Sequence, residues 1–337
     1  MADPRLLSSW VRRFLLEYLT GERNLSANTQ KSYRDMLRLL LPFASEVTGK
    51  ATDKLLVEDL SESCVRRFLC SLSENRHCSA STRNQRLAGI RSLARFVAIQ
   101  APEYTEWYGW LKSIPPRKCS TSLISYLEKD EMDALLAAPD VETVQGRRDH
   151  TLLLFLYNTG ARADEVAHVR ITDLSLNHMS GSGSSSVVIN GKGNRRRHCP
   201  LWRETARLLQ LLAGNRPPDE ALFMNRGYRP ITRFGIRDIV IRNTVIAARS
   251  VPSLSDKRVS PHTIRHTTAT HLLRAGVDIN TIRAWLGHVS LSTTLIYAEV
   301  DLQMKARAIE MCEPAEKKRI LKPWKQQKDI MAFLDSL

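Results

Sequence analysis

The chain is poor in acidic residues relative to basic ones. Asp and Glu number 35 against 50 Lys and Arg, which leaves a formal net charge of +15. An excess of that size points to a polyanionic partner. Evenly scattered solvating charge is the alternative, but the basic residues cluster, at Arg195-Arg196-Arg197, at Arg83, Arg86, Arg91 and Arg95, and between Lys317 and Lys328. Cysteine is also scarce. The six present (Cys64, Cys70, Cys78, Cys119, Cys199 and Cys312) form no C-x-x-C pair and no regular framework. That argues against structural zinc and disulfides and fits a reducing compartment. No run of about eighteen apolar residues exists, so no membrane-spanning helix and no membrane partner is expected. The opening Met-Ala-Asp-Pro-Arg carries no signal-peptide apolar region, which leads to the expectation of a soluble cytoplasmic protein. Internal repeats are lacking. The single low-complexity piece, Ser180 to Ser186, reads as a flexible loop.

What is present suffices for two packed cores, since 337 residues exceed one typical domain and 43% of them are hydrophobic. Residues from Leu6 to Ala101 read as all-helical. Ser26 is placed to cap a helix through Phe43, with Tyr33, Met36, Leu37, Leu40 and Leu41 as its apolar stripe. Ser61 starts a second helix around Val65, Phe68, Leu69 and Leu72. Ser81 caps a third around Leu87, Ile90, Leu93, Ala94 and Val97. On that third helix Arg83, Arg86, Arg91 and Arg95 fall outside the stripe; a solvated face is the plain reading, but beside the net charge of +15 and the motifs below, contact with nucleic-acid phosphates is the expectation for all four. Leu111 to Ser125, with Pro115-Pro116, reads as a linker.

Beyond the linker a helix starts near Glu128. An apolar helix from Arg147 to Thr159 stops at Gly160, which is placed for a left-handed residue. Arg162 then opens another helix beside backbone N–H groups that lack partners, a setting that suits an anion. Surface pairing with Glu165 or Asp164 is the plainer reading of Arg162. Val187 to Asn190 reads as a strand, Gly191 to Asn194 as a turn, and Arg195 to Leu201 as the returning strand. Helices follow over Trp202–Leu212 and Arg233–Ala248. Pro261 opens a helix through Leu273 with His262, Arg265 and His266 near its start. Asn280 caps the next, which Gly287 ends. His288 comes at once, and Ser292-Thr293-Thr294 opens the helix that carries Tyr297. After Pro314 come Lys317-Lys318-Arg319 and an amphipathic end with Ile330, Phe333, Leu334 and Leu337.

Five motifs in order carry more than any one of them: T-G-A-R-A-D-E-V (Thr159 to Val166), I-N-G-K-G-N-R-R-R (Ile189 to Arg197), H-T-I-R-H-T (His262 to Thr267), L-G-H (Leu286 to His288) and Tyr297. Together they resemble the tyrosine recombinases, the family of phage integrases, Xer proteins and transposon- and integron-borne integrases. Leu25 to Met36 and Ser79 to Leu93 resemble that family's helical core-binding domain. The resemblance implies a mainly α protein with a small β-hairpin or sheet. A helical core-binding domain that clamps DNA would span 1–110, followed by a linker over 111–125. An α+β catalytic domain would span 126–312. The tail over 313–337 would be a protomer-docking segment.

The same resemblance implies the chemistry. A phosphodiester is a hindered anion and repels a nucleophile until its charge is neutralised. Arg162 and Arg265 would grip the non-bridging oxygens, a task that planar guanidinium suits better than ammonium. Tyr297 would attack phosphorus and hold the DNA as a 3′-phosphotyrosine. Lys192 would protonate the leaving 5′-hydroxyl, His262 would accept or relay a proton, and His288 would donate to the phosphate. Glu165 would brace the site from behind, and Arg195 and Arg196 would join the basic surface that meets DNA. No cofactor and no metal is implied. The partners implied are double-stranded DNA recombination sites and further copies of the chain, a tetramer on DNA, with accessory proteins left open. The implied location is the bacterial cytoplasm, at the nucleoid.

Other readings of these residues compete. His262, His266, His271 and His288 suggest a metal site, yet no H-E-x-x-H arrangement is present and two arginines would repel a cation. Packing or DNA-backbone contact suits His266 and His271 better. A type IB topoisomerase-like relaxase would share the chemistry without partner exchange, and a silent DNA-binding regulator would share the scaffold alone. Asp164 stands where many family members carry serine, and Ala161 where many carry Leu or Met. An inward-facing Asp164 would weaken phosphate affinity. The Ser180 to Ser186 insert lengthens the loop before Lys192.

Overall fold

The computed structural model describes residues 5–119, 125–176, 184–191 and 195–287, with Met331 and Leu334. The chain divides into two compact units, Met1–Ser122 and Leu123–Leu337.

In the first unit α1 (Leu7–Arg13) runs into a π-helical stretch over Phe14–Glu22. It is followed by α2 (Ala27–Thr48), α3 (Glu62–Glu74), α4 (Ala80–Gln100) and α5 (Thr105–Ser113). The apolar stripes decide how these pack. α2 buries Met36, Leu37, Leu40 and Ala44, and α3 buries Val65, Phe68, Leu69 and Leu72. α4 buries Leu87, Ile90, Leu93, Ala94, Phe96 and Val97. Each large side chain fully withdrawn from water contributes roughly 1.5–3 kcal/mol, so this shared core is what holds the helices together. The expected N-caps at Ser26 and Ser61 are present, accepting from the Thr29 and Cys64 amides at 3.4 and 3.2 Å. The third cap is Ser79, which accepts from the Thr82 amide at 3.2 Å, and Ser81 lies inside the helix. Three serine or threonine residues stand within four positions there. The one whose backbone is extended (φ −61°, ψ 157°) takes the role.

The four arginines of α4 are not one solvated face. Arg83 is 8% exposed. Arg86 donates to the Ser32 carbonyl at 3.1 Å. Arg91 closes the C-terminal end of α5, donating to the carbonyls of Lys112 at 2.8 Å and of Ile114. Those carbonyls end a helix and lack intrahelical partners, so a guanidinium satisfies them better than water at a half-buried site. Only Arg95 of the four is exposed. The linker expected from Leu111 is likewise part of this unit at its start: Leu111 and Ile114 are fully buried in its core. Asn84 then holds Arg117 through both its carboxamide ends.

The second unit is built around α7 (Val144–Thr159), largely buried from Asp149 to Thr159. α6 (Lys129–Ala137) precedes it, and α8 (Ala163–Ala167) follows the left-handed Gly160. An antiparallel sheet in the order β1 (Leu174–Ser175), β2 (Ser186–Gly191) and β3 (Arg195–Pro200) comes next. Its register sets Ile189 opposite Arg197 and Gly191 opposite Arg195. Ser186, expected in the flexible loop, is the first residue of β2. The rest is helical: α9 (Arg203–Ala213), α10 (Arg233–Ala247), α11 (Pro261–Arg274) and α12 (Ile279–Leu286). α7 packs against α9 and α11. Asn158, 1% exposed, ties α7 to the end of β3 by donating to the Pro200 carbonyl and accepting from the Trp202 amide. Pro261 fills the first turn of α11, as expected, and Ser260 caps it. The cap of α12 is Asp278, not Asn280. Its carboxylate accepts from the Asn280 and Thr281 amides at 2.9 and 2.8 Å, and its charge suits the positive end of the helix. None of the described helices is long and apolar enough to cross a membrane.

The part played by Arg91 is testable. Arg91→Ala leaves the carbonyls of Lys112 and Ile114 without their charged donor, and the first unit loses roughly 1.5–3 kcal/mol, read by urea unfolding. If Arg91 served DNA alone, stability would hold and only binding would weaken.

Candidate active site

The site begins at the turn between α7 and α8. Gly160 takes a left-handed backbone (φ 58°), and a Cβ there would lie 2.5 Å from Leu286 Cδ2, so the turn is open to glycine only. Two residues on, Arg162 is the N-cap of α8 in extended backbone, so the helix begins one residue later than expected. Glu165 folds back over it. The carboxylate accepts from the Arg162 amide at 3.0 Å and from Arg162 Nη1 at 2.7 Å. The amide expected to be open to an anion is therefore taken by Glu165. Asp164 is exposed and does not face inward.

Glu165 has a second cation. Arg197 Nη2 donates to its Oε2 at 2.6 Å. Burial would raise the Glu165 carboxyl, but the hydrogen bonds from Arg197 and Arg162 and the Arg197 charge outweigh it, so it lies below its usual 4.5. Arg162 remains 35% exposed, whereas Arg197 and Glu165 are at 9% and 6%. The carboxylate thus holds Arg162 from the protein side and leaves part of its guanidinium open to a ligand.

α11 brings the second arginine. Arg265, 3% exposed, donates from Nη1 to the Gly160 carbonyl and from Nη2 to the Leu286 carbonyl, both at 2.7 Å. These carbonyls lie at the C-terminal ends of α7 and α12, where the partial charge is negative, so one guanidinium fastens three helices. One turn earlier His262 is exposed. Its surroundings withdraw it partly from water, and Arg265 and Arg162 add positive charge, so its pKa is lowered from 6.5. His266 is pushed down to about 4, by burial first and then by His262 and Arg265. His271 sits in packing, its Nδ1 2.7 Å from the Tyr157 hydroxyl.

Of the residues expected from sequence, Arg162, Glu165, His262 and Arg265 come together here although about a hundred positions separate the two pairs. Lys192, His288 and Tyr297 lie outside the described residues, as do Ile330, Phe333 and Leu337 of the tail. Arg195 and Arg196 are exposed on β3. Arg197, which joins this cluster through Glu165, was not among the residues expected here. Strand alternation carries the signal: Arg197 shares a face with the buried Cys199 and sits opposite the buried Ile189. Among the described residues no group of three His, Cys, Asp or Glu is placed to hold a metal ion.

Comparison with known proteins fits this geometry. The profile of the Phage integrase family matches residues 125–304, and that of the phage integrase N-terminal SAM-like domain matches residues 12–100. The chain belongs to the phage integrase family, the tyrosine recombinases. The integrase/recombinase y4rC of Sinorhizobium fredii is 35% identical over 339 residues, covering 100% of both chains. The tyrosine recombinase XerC of Pelobacter propionicus is 32% identical, over 91% of this chain and 96% of its own. Two solved structures share the fold at lower identity. The XerH site-specific recombinase bound to a palindromic difH substrate has a TM-score of 0.66 at 21% identity, over 89% of this chain and 84% of its own. The Tn1549 transposon integrase in complex with transposon right end DNA has a TM-score of 0.67 at 17% identity, over 90% and 99%. As a tyrosine recombinase the protein is a DNA strand-transferring enzyme. Neither the relaxase reading nor the silent regulator is favoured beside these relatives.

Glu165→Gln tests the carboxylate. It leaves two guanidiniums facing a neutral amide and destabilises the second unit by roughly 3 kcal/mol at pH 7. Because the Glu165 pKa is lowered on folding, its stabilisation is full above about 4.5 and is lost as pH falls through the folded value. Unfolding curves should therefore show an acid limb in the native protein that is reduced in the variant. Equal stability of the two proteins at pH 7 would count against the role.

Proposed function

We propose that Arg162, Lys192, His262, Arg265, His288 and Tyr297 form the catalytic set of this recombinase, with Glu165 bracing Arg162. The observation that carries the proposal is the seating of Arg265 on the Gly160 carbonyl at 2.7 Å, which sets α11 against the turn that bears Arg162. Two fixed guanidiniums and an imidazole at one corner suit a phosphodiester. Neutralising its charge lets a phenolate approach, and each donor aimed at charge developing in the transition state is worth roughly 10²–10³ in rate.

In the proposed reaction Tyr297 Oη attacks phosphorus, the bond to the 5′-oxygen breaks, and a 3′-phosphotyrosine forms. The phenolic proton passes to His262. A lowered pKa suits it for this, since it keeps the ring neutral and able to accept at pH 7. Lys192 gives a proton to the leaving 5′-oxygen, and His288 hydrogen-bonds the phosphate. The 5′-hydroxyl of a partner strand then attacks the phosphotyrosine, restores a phosphodiester and frees Tyr297. Bond energy is conserved in the intermediate, so the cycle as written calls for no nucleotide and no metal.

The XerH and Tn1549 neighbours are seen on DNA, one of them as a post-cleavage complex. On that likeness the substrate of this chain is a pair of double-stranded recombination sites, met by a homo-oligomer, a tetramer by the family's logic. The setting is the bacterial cytoplasm, and the outcome is integration, excision or transposition of a mobile element. The tail is read as a protomer-docking segment, and Leu334 within it is 52% exposed.

Tyr297→Phe should abolish covalent protein–DNA adducts on a nicked suicide substrate and leave DNA affinity nearly unchanged. Adducts formed by that variant would overturn the proposal. Binding should also weaken by roughly 10³-fold or more between 50 and 200 mM salt if six or more phosphates are neutralised. A flat dependence of affinity on salt would remove the clamping role.

A further inference from the structure

We propose that Arg197 is a positioning residue for strand transfer, tying the β2–β3 hairpin and the end of α12 to the carboxylate that holds Arg162. The inference rests on the function proposed above and goes beyond its residue set.

Arg197 lies on β3, opposite Ile189 and three positions upstream of Pro200. It donates to Glu165 Oε2 at 2.6 Å while Arg162 donates to Oε1 at 2.7 Å. Each carboxylate oxygen therefore has its own guanidinium. Two glycines admit the Arg197 side chain. A Cβ on Gly287 would lie 3.2 Å from Arg197 Nη1 and 3.3 Å from its Cδ, at a left-handed backbone (φ 66°). A Cβ on Gly191 would lie 3.5 Å from Nη1 and 3.4 Å from Glu165 Oε1. Gly191 immediately precedes Lys192, and Gly287 immediately precedes His288. One buried cation thus touches both points from which the remaining catalytic residues depart.

Removing it has a defined consequence. Glu165 is faced by Arg162 from its own turn, by Arg197 and the buried Cys199 thiol from β3, and by Gly191 from β2. Without Arg197, Oε2 loses its guanidinium and keeps only the Arg162 amide at 3.0 Å, so the carboxylate is free to turn more of its charge onto the Arg162 side chain. That draws the Arg162 guanidinium towards the protein and away from a phosphate. Arg197 also lowers the Glu165 carboxyl, so its loss raises that group's pKa.

The test uses the full chain and a suicide substrate of the cognate site, with adduct formation by the native protein and its absence in Tyr297→Phe as the check on the underlying function. Arg197→Met is expected to bind DNA within threefold of the native protein and to form the Tyr297 adduct at least tenfold more slowly. The pH–rate profile of the variant should gain an acid limb at higher pH than the native one. In a Glu165→Gln background Arg197→Met should slow the reaction by less than threefold, because the group it acts through is gone. Arg197→Lys keeps the charge but not the fork, should fold even if the Met variant does not, and should restore part of the rate. Native adduct rates in Arg197→Met or in Arg197→Lys would overturn the inference. So would a full tenfold loss that persists in the Glu165→Gln background with an unmoved pH profile, since that is what loss of packing alone predicts.

Discussion

A buried guanidinium must find acceptors, and Arg265 finds them at the ends of two helices. The carbonyls of Gly160 and Leu286 lack intrahelical partners because α7 and α12 stop there, both in left-handed glycines. A single side chain answers both needs and removes its own desolvation penalty in doing so. The closeness of Gly160 to Leu286 and Thr268 follows from the same arrangement, as does its intolerance of a side chain. Because Arg265 is held at 3% exposure by fixed backbone atoms, its orientation does not wait for a ligand. A guanidinium held in this way is preorganised, which is what the proposed role at a developing charge requires.

Glu165 performs the complementary task. Arginines within reach of one another repel, and His262 and His266 both feel that field. A carboxylate between Arg162 and Arg197 lets cations gather without driving the unit apart. Its pKa lies below the usual value, so it stays charged wherever the protein is folded and neutral pH prevails. The acid is buried behind Arg162, whose side chain stays 35% exposed, so in the proposed reaction it would not compete with a phosphate. The exposed Asp164 leaves that division intact.

Much of this was legible in the sequence where local chemistry decides. Caps at Ser26 and Ser61, the left-handed Gly160, the helix stop at Gly287, and Pro261 in a first turn depend on a few neighbouring atoms. The misreadings arise where a competitor stood nearby. Ser79 took the cap assigned to Ser81, and Asp278 the cap assigned to Asn280, because the backbone becomes extended two residues earlier in each case. The arginines of α4 failed for another reason. A helical wheel shows which face lacks apolar residues but not what lies across it, and α5 ends opposite Arg91. Arg162, Glu165, His262 and Arg265 were found only through the order of their motifs, since nothing local brings them together.

Arg197 marks the remaining gap between pattern and structure. Three arginines in a row look alike in a charge count, yet a strand separates them by two-residue alternation. Arg195 is exposed at the end of the hairpin where β2 and β3 connect, paired with Gly191, and Arg196 is exposed on the other face. Arg197 turns to the face that buries Cys199. A basic run on a strand next to a buried residue therefore holds at least one cation that must be paired inside. Glu165 is the buried carboxylate in reach, and it was already committed to Arg162 by the capping geometry of α8. The positions of β3 and of the α7–α8 turn are in consequence tied by one shared anion, which makes β3 part of the cluster around Arg162 and not an appendage to it.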